Sequence, residues 1–138
     1  MSFLLDPRLV DDTHLIGDLS LSSLLLMDDV RFPWLILVPR IAGARELLDL
    51  DEADRHNLLG ELSLIGRGLE TLFCPDKINI AALGNVVPQL HVHVIARYID
   101  DDVWPQPVWG RGERKRYDES ALAQRIAELR KAFVHQFV

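Results

Sequence analysis

The sequence predicts an α+β domain: a mostly antiparallel sheet of about five strands, one long central helix and a C-terminal helix. Three observations predict it. Short runs dense in β-formers come in two groups, before residue 40 and after residue 76. Between the groups lies one long stretch whose apolar residues recur at helical spacing. Within each group the links are too short to cross over a sheet, so neighbouring strands pair antiparallel.

Residues 1–12 are mixed, and Asp6-Pro7 marks a turn. Leu15 to Gly17 reads as a short strand and Asp18 to Ser20 as a turn. Leu21 to Met27 is an apolar run ended by Asp28-Asp29, and Phe32-Pro33 lies in the connection that follows. Trp34 to Val38 is dense in β-formers and stops at Pro39, as a buried strand would. These two runs form an antiparallel pair. Asp49, with Glu52 three residues on, is the expected cap of the long helix. Leu58, Leu62, Ile65, Leu69 and Leu72 line one face of it, and Pro75 stops it after Phe73-Cys74. Gly60, Gly66 and Gly68 weaken the helix and are expected to allow close packing on a sheet. Lys77 to Ala82 alternates again, and Leu83 to Pro88 joins it to a strand running from Gln89 through Arg97 to Tyr98. Asp100 to Arg116 is irregular. Asp118 caps a last helix over about residues 118–137, with Leu122, Ile126, Leu129 and Phe133 inward.

The chain is 138 residues long, which fits a single domain over 1–138, large enough to bury a core without staples. The net charge of −6 argues against nucleic-acid binding, which wants a basic surface. It leaves room for a small anion held by backbone amides. Cys74 is the one cysteine, so no disulfide forms within the chain, and its expected role is core filler. The start, Met1 to Arg8, has neither a basic leader nor a long apolar core, and no apolar run reaches membrane-span length. The expected setting is cytoplasmic, with no membrane partner.

The chemistry concentrates in Gln89-Leu90-His91-Val92-His93-Val94. Strict alternation puts Gln89, His91 and His93 on one face of a strand, read as the wet face, and Leu90, Val92 and Val94 on the buried one. The two imidazoles are then roughly 6–7 Å apart along it. Asn79 joins the same face if the neighbouring strand is in register. Three readings stand side by side. The histidines are surface residues on a solvated strand. They are two ligands of a zinc site whose third comes from elsewhere, although His14, His56 and His135 show no ligand spacing. Or one is a nucleophile toward phosphorus, held in one tautomer by a partner on its other nitrogen. The Gly84-Asn85 turn would then offer N–H groups to the phosphate.

The block Asn79 to Val94 resembles the signature of the histidine-triad (HIT) superfamily, His-φ-His-φ-His-φ-φ (φ apolar), preceded by a glycine-containing phosphate loop. Here it reads Gln89-Leu-His91-Val-His93-Val-Ile95, so Gln89 stands at the first histidine position. The matching core covers about residues 77–98. The resemblance, to bacterial HIT-type diadenosine polyphosphate hydrolases among others, implies a HIT-like fold and a homodimer with joined sheets. It implies a nucleotide hydrolase or transferase acting at the α-phosphate of a nucleoside polyphosphate or phosphoramidate, through a nucleotidyl-histidine. His91 takes the nucleophile's place, His93 the third histidine's, and Gln89 an orienting place without a titrating charge. Asn79, Gly84, Asn85, Val86 and Asp28 take nucleotide-binding places, with Val86 where some members carry a hydroxyl. No cofactor is required, though magnesium can accompany a polyphosphate. The alternative is a non-catalytic nucleotide-binding protein that retains the pocket. Trp104 to Gly110 is similar to a stretch lining the partner's site in some members. Packing is the simpler role for Trp104 and Trp109, a solvated loop for Arg111 to Arg116, and a polar turn for Asp100 to Asp102.

Overall fold

The computed structural model describes residues 2–138; Met1 lies outside them. The elements are α1 (Pro7–Asp12), β1 (Thr13–Asp18), β2 (Ser22–Met27), β3 (Trp34–Pro39), α2 (Glu52–Phe73), β4 (Lys77–Ala81), β5 (Val92–Arg97) and α3 (Glu119–Phe133). The strands form one five-stranded sheet in the order β1-β2-β3-β5-β4. Every neighbouring pair is antiparallel, so the expected α+β architecture is observed.

The sheet is covered on both faces. On one, Leu24, Leu26, Leu35, Leu37, Val92 and Val94 pack against Leu58, Ile65 and Leu69 of α2 and Leu129 and Phe133 of α3. On the other, Leu25, Trp34, Ile36, Val38 and Ile95 meet Leu9 of α1, Val87 and Val108. The alternating stretch therefore has no wet face: every residue of β5 is buried. No local pattern announces this, because the covering segments are short and irregular.

Several boundaries move for physical reasons. Asp6-Pro7 starts α1 rather than a free turn: Asp6 caps it through Arg8 N–H, and proline suits the first helical position. Asp51 caps α2 through Asp54 N–H. The predicted cap, Asp49, instead accepts from the backbone of Arg45 and Glu46 in the 3₁₀ turn before it. Cys74 is exposed and left-handed (φ 46°) at the C-cap of α2, so it fills no core. β5 starts at Val92, three residues later than expected, and residues 82–91 form the link. The last helix ends at Phe133 and continues as a 3₁₀ turn, Val134–Gln136.

The glycines of α2 do not serve sheet packing. A Cβ on Gly68 would strike the Phe133 ring of α3, whereas one on Gly60 would meet nothing within 4 Å. Gly68→Ala should therefore lower stability by about 1–3 kcal/mol through overpacking. Gly60→Ala should raise it by roughly 0.5–1 kcal/mol through helix propensity. Urea denaturation of the two variants checks the opposite signs.

Candidate functional site

His91 and His93 lie side by side, with ring centroids 5.0 Å apart, and both are almost fully buried. His93 belongs to β5, where it pairs with Ile36 of β3 on one side and Ala81 of β4 on the other. His91 sits just before the strand, and the alternation continues through it, since Leu90 packs with Val92 and Val94 in the helix-covered core.

Each ring has one nitrogen committed, and the commitments differ. His91 Nδ1 lies 2.7 Å from the backbone carbonyl of Gln89. A carbonyl only accepts, so Nδ1 carries the proton and the lone pair of neutral His91 is on Nε2. At His93 the indole Nε1–H of Trp34 donates to Nδ1 at 2.9 Å. Nδ1 is therefore the bare nitrogen, and Nε2 carries the proton. The two rings thus present a lone pair and an N–H. Protonating His93 would set a second N–H against that of Trp34. Burial, together with the neighbouring His91, pushes its pKa down to about 3.

Aromatic rings flank His93. Trp109 stands edge-on to His93 at 5.0 Å, and Trp34 meets Trp109 edge-on at 5.9 Å. Trp109 is brought there by the loop after β5. That loop is fixed by Asp101, which accepts from Arg97 Nε (2.7 Å) and Nη2 (3.1 Å) and from the backbone N–H groups of Tyr98, Val103 and Trp104. Burial pushes the Asp101 carboxyl up, but Arg97 and the backbone donors outweigh it and hold it below the usual range. The Arg97 guanidinium lies 5.5 Å from the ring centres of both Phe32 and Trp104. Asp100 to Asp102 is thus more than a polar turn: its middle residue is a buried clasp.

Asn79 lands on the His93 face, as the alternation predicts, in register with Ile95. Its Oδ1 accepts from Arg97 Nη1 at 3.0 Å. Gly84, Asn85 and Val86 form an exposed loop beside the pair, and no hydrogen bond from their backbone N–H groups is found among the described residues. Asp28 makes no hydrogen bond or ion pair with His91 or His93, and its Oδ2 lies 3.5 Å from His14 Nε2. It is buried, accepts from Arg116 Nη1 (2.7 Å) and Tyr117 N–H (3.0 Å), and so ties down the lead-in to α3. Arg111 to Arg116 is exposed, as a solvated loop would be, and Arg116 anchors it to Asp28. Gln89 shares the face, but its side chain turns to the N-terminal segment: Oε1 accepts from Asp6 N–H at 2.9 Å, and Nε2 donates to the Leu4 carbonyl at 2.8 Å.

Two residues at this site went unread in the sequence. Trp34 looked like a strand former only; its role depends on the β3–β5 register. Arg8 looked like part of an irregular start. Its Nη1 donates to the Val86 carbonyl at 2.6 Å, while Nε and Nη2 clasp Asp6 at 3.2 Å each. Hydrogen bonds from Arg8 hold the Asp6 carboxyl below the usual range, and His91 adds a smaller pull. Among the described residues no group of three or more histidine, cysteine or acidic side chains converges as a metal site would need.

Comparison with known proteins bears on this arrangement. The profile of the HIT domain family matches residues 8–100. A histidine triad protein from Bradyrhizobium japonicum is 46% identical, with 96% of this chain and 98% of that one covered and a TM-score of 0.92. One from Marinobacter aquaeolei is 44% identical, with 99% of each chain covered and a TM-score of 0.95. One from Sinorhizobium meliloti is 45% identical, covering 94% of this chain and 96% of that one, with a TM-score of 0.91. No curated protein matches the chain.

His93 gives the site a pH signature. The unfolded chain takes up a proton near pH 6.5, whereas folded His93 resists it until about pH 3. Its contribution is complete above pH 6.5 and is lost as pH falls through that window, at up to about 1.4 kcal/mol per pH unit. Urea denaturation at pH 7 and pH 5 should show the loss, and His93→Asn should flatten it.

Proposed function

The chain belongs to the histidine-triad family, and from that premise we propose that it is a nucleotide hydrolase or transferase whose nucleophile is His91. The observation carrying this reading is the opposed pair of tautomers. His91 Nε2 offers a lone pair, and its Nδ1–H rests on the Gln89 carbonyl. Attack on the α-phosphorus forms the P–N bond to Nε2 and breaks the P–O bond to the leaving group, which keeps the electron pair and departs as an oxyanion; an amine leaving group would also have to take up a proton. The resulting nucleotidyl-imidazolium is stabilised where its charge develops, at Nδ1–H against that carbonyl. Water then attacks phosphorus, Nε2 departs with its electrons, and the water's proton passes to solvent.

His93 supports this as a hydrogen-bond donor. With Nδ1 taken by Trp34, its Nε2–H is directed to a phosphate oxygen and remains on the ring. The loop Gly84, Asn85 and Val86 would add backbone N–H groups to the phosphate, and Asn79 would contribute through its amide nitrogen, its oxygen being held by Arg97. Asp28 would bind the ribose only by giving up Arg116. The covalent step as written uses no metal; magnesium would enter as the counter-ion of a polyphosphate.

A reading as a nucleotide binder without chemistry draws on Gln89 standing where the family signature has its first histidine. One assay decides between the two. Incubation with adenine nucleotides and dinucleoside polyphosphates should give mononucleotide product with the native chain and none with His91→Ala at unchanged melting temperature. Tight binding with no product from any of them would favour the binder.

The same reading includes a homodimer. β4 is one of the two sheet edges, a position that proteins cover or charge. Beside it Ile80 is 52% exposed and Leu59 of α2 63% exposed, and with Leu62, Gly66 and Ile78 they line a groove of about 380 Å³. Light scattering should give twice the 15.7 kDa chain mass, and Ile80→Glu should return the monomer.

A further inference from the structure

We propose that Arg8, carried on an N-terminal strap that Gln89 fastens to the site, binds the phosphates beyond the α-position and selects nucleotides with a phosphoanhydride leaving group. The inference rests on the nucleotide reading above and deepens it.

The first observation concerns the leaving group. An amine leaving from a phosphoramidate needs a proton, because an amide anion is far too basic to depart. Neither side chain flanking His91 on this face can deliver one. Gln89 does not titrate, and both ends of its amide are occupied by backbone groups. His93 would need a second N–H where Trp34 already points its own. A phosphate leaving from an anhydride has no such need: the P–O bond breaks, the electron pair stays on the oxygen, and the group departs as a stable anion. That anion needs a cation.

The second observation supplies it. The Gln89 amide grips Leu4 and Asp6 through one acceptor and one donor, as a neighbouring strand would grip alternate residues. This fixes Asp6, which clasps Arg8 side-on and turns its guanidinium onto the phosphate loop at the Val86 carbonyl. Arginine has five N–H donors, and three are used here, leaving one on Nη1 and one on Nη2. Two donors on a planar cation suit bidentate binding of phosphate. The exchange of histidine for Gln89 at the signature's first position is thereby accounted for: it trades a titrating ring for a latch that sets Arg8, paired with Asp6, against the phosphate loop.

Calorimetric titration with AMP and with α,β-methylene-ATP, which has the same nucleoside but a longer, uncleavable phosphate chain, tests this. The native protein should bind the longer nucleotide at least roughly tenfold more tightly. Arg8→Gln should bring the two affinities together, and Arg8→Lys should restore part of the gap. Gln89→Ala should also narrow it, by freeing the strap. An unchanged preference in Arg8→Gln, or a native protein that does not distinguish the two nucleotides, would overturn the role of Arg8 while leaving the nucleotide reading intact. A native protein that binds neither would overturn that reading and this inference with it. Arg8 is half-exposed, so its variants keep the core, and a melting curve confirms the folding of Gln89→Ala.

Discussion

The Trp34 indole donates its N–H to His93 Nδ1 at 2.9 Å inside a face from which water is largely excluded. Once that nitrogen is an acceptor, the proton of His93 must sit on Nε2. The buried ring then has no inexpensive way to become charged, since a second proton would face an N–H with no lone pair to meet it. A buried donor facing a buried donor is among the costliest polar arrangements a core can hold. The neighbouring His91 is set the opposite way by the Gln89 carbonyl. Two identical side chains two residues apart are thereby given different chemistry, one a lone pair and the other a fixed donor.

Much of the remaining architecture serves to hold that face closed. β5 lies between β3 and β4, so the His93 backbone is stiffened from both sides. The Arg97–Asp101 clasp, 1% and 5% exposed at its side chains, fixes the loop that carries Trp109 across His93. Such a pair is a poor source of net stability, because desolvation offsets most of its attraction. Its value here is geometric: five hydrogen bonds converge on one carboxylate and leave the loop a single course. The N-terminal strap closes the opposite side through Gln89.

What could be read from the sequence follows the range of the interactions involved. Alternation is local, so the shared face of His91, His93 and Asn79 was visible, as was the helical stripe Leu58-Ile65-Leu69. The α+β order followed from short links between strands. The burial of that face was not visible, because it depends on Phe3, Leu5 and Leu9 reaching it from the other end of the chain. Trp34 becomes a tautomer-setting residue only through its register against β5, where it pairs with Ile95 and so stands two positions from His93. Gln89 read as a diminished histidine. Its bonds to Leu4 and Asp6 cross more than eighty positions and leave no periodic trace. Asp28 read as a ligand contact because its position in the order of elements was right, but Arg116 and Tyr117 claim its carboxylate.

His91 and His93 hold opposite tautomers, and nitrogen NMR of the histidine-labelled protein reads this directly. Long-range proton–nitrogen correlations separate a protonated ring nitrogen from a bare one. At neutral pH they should place the His91 proton on Nδ1 and the His93 proton on Nε2, with the His93 pattern unchanged at pH 5. A His93 that carries its proton on Nδ1, or that becomes an imidazolium near pH 6.5, would contradict the account.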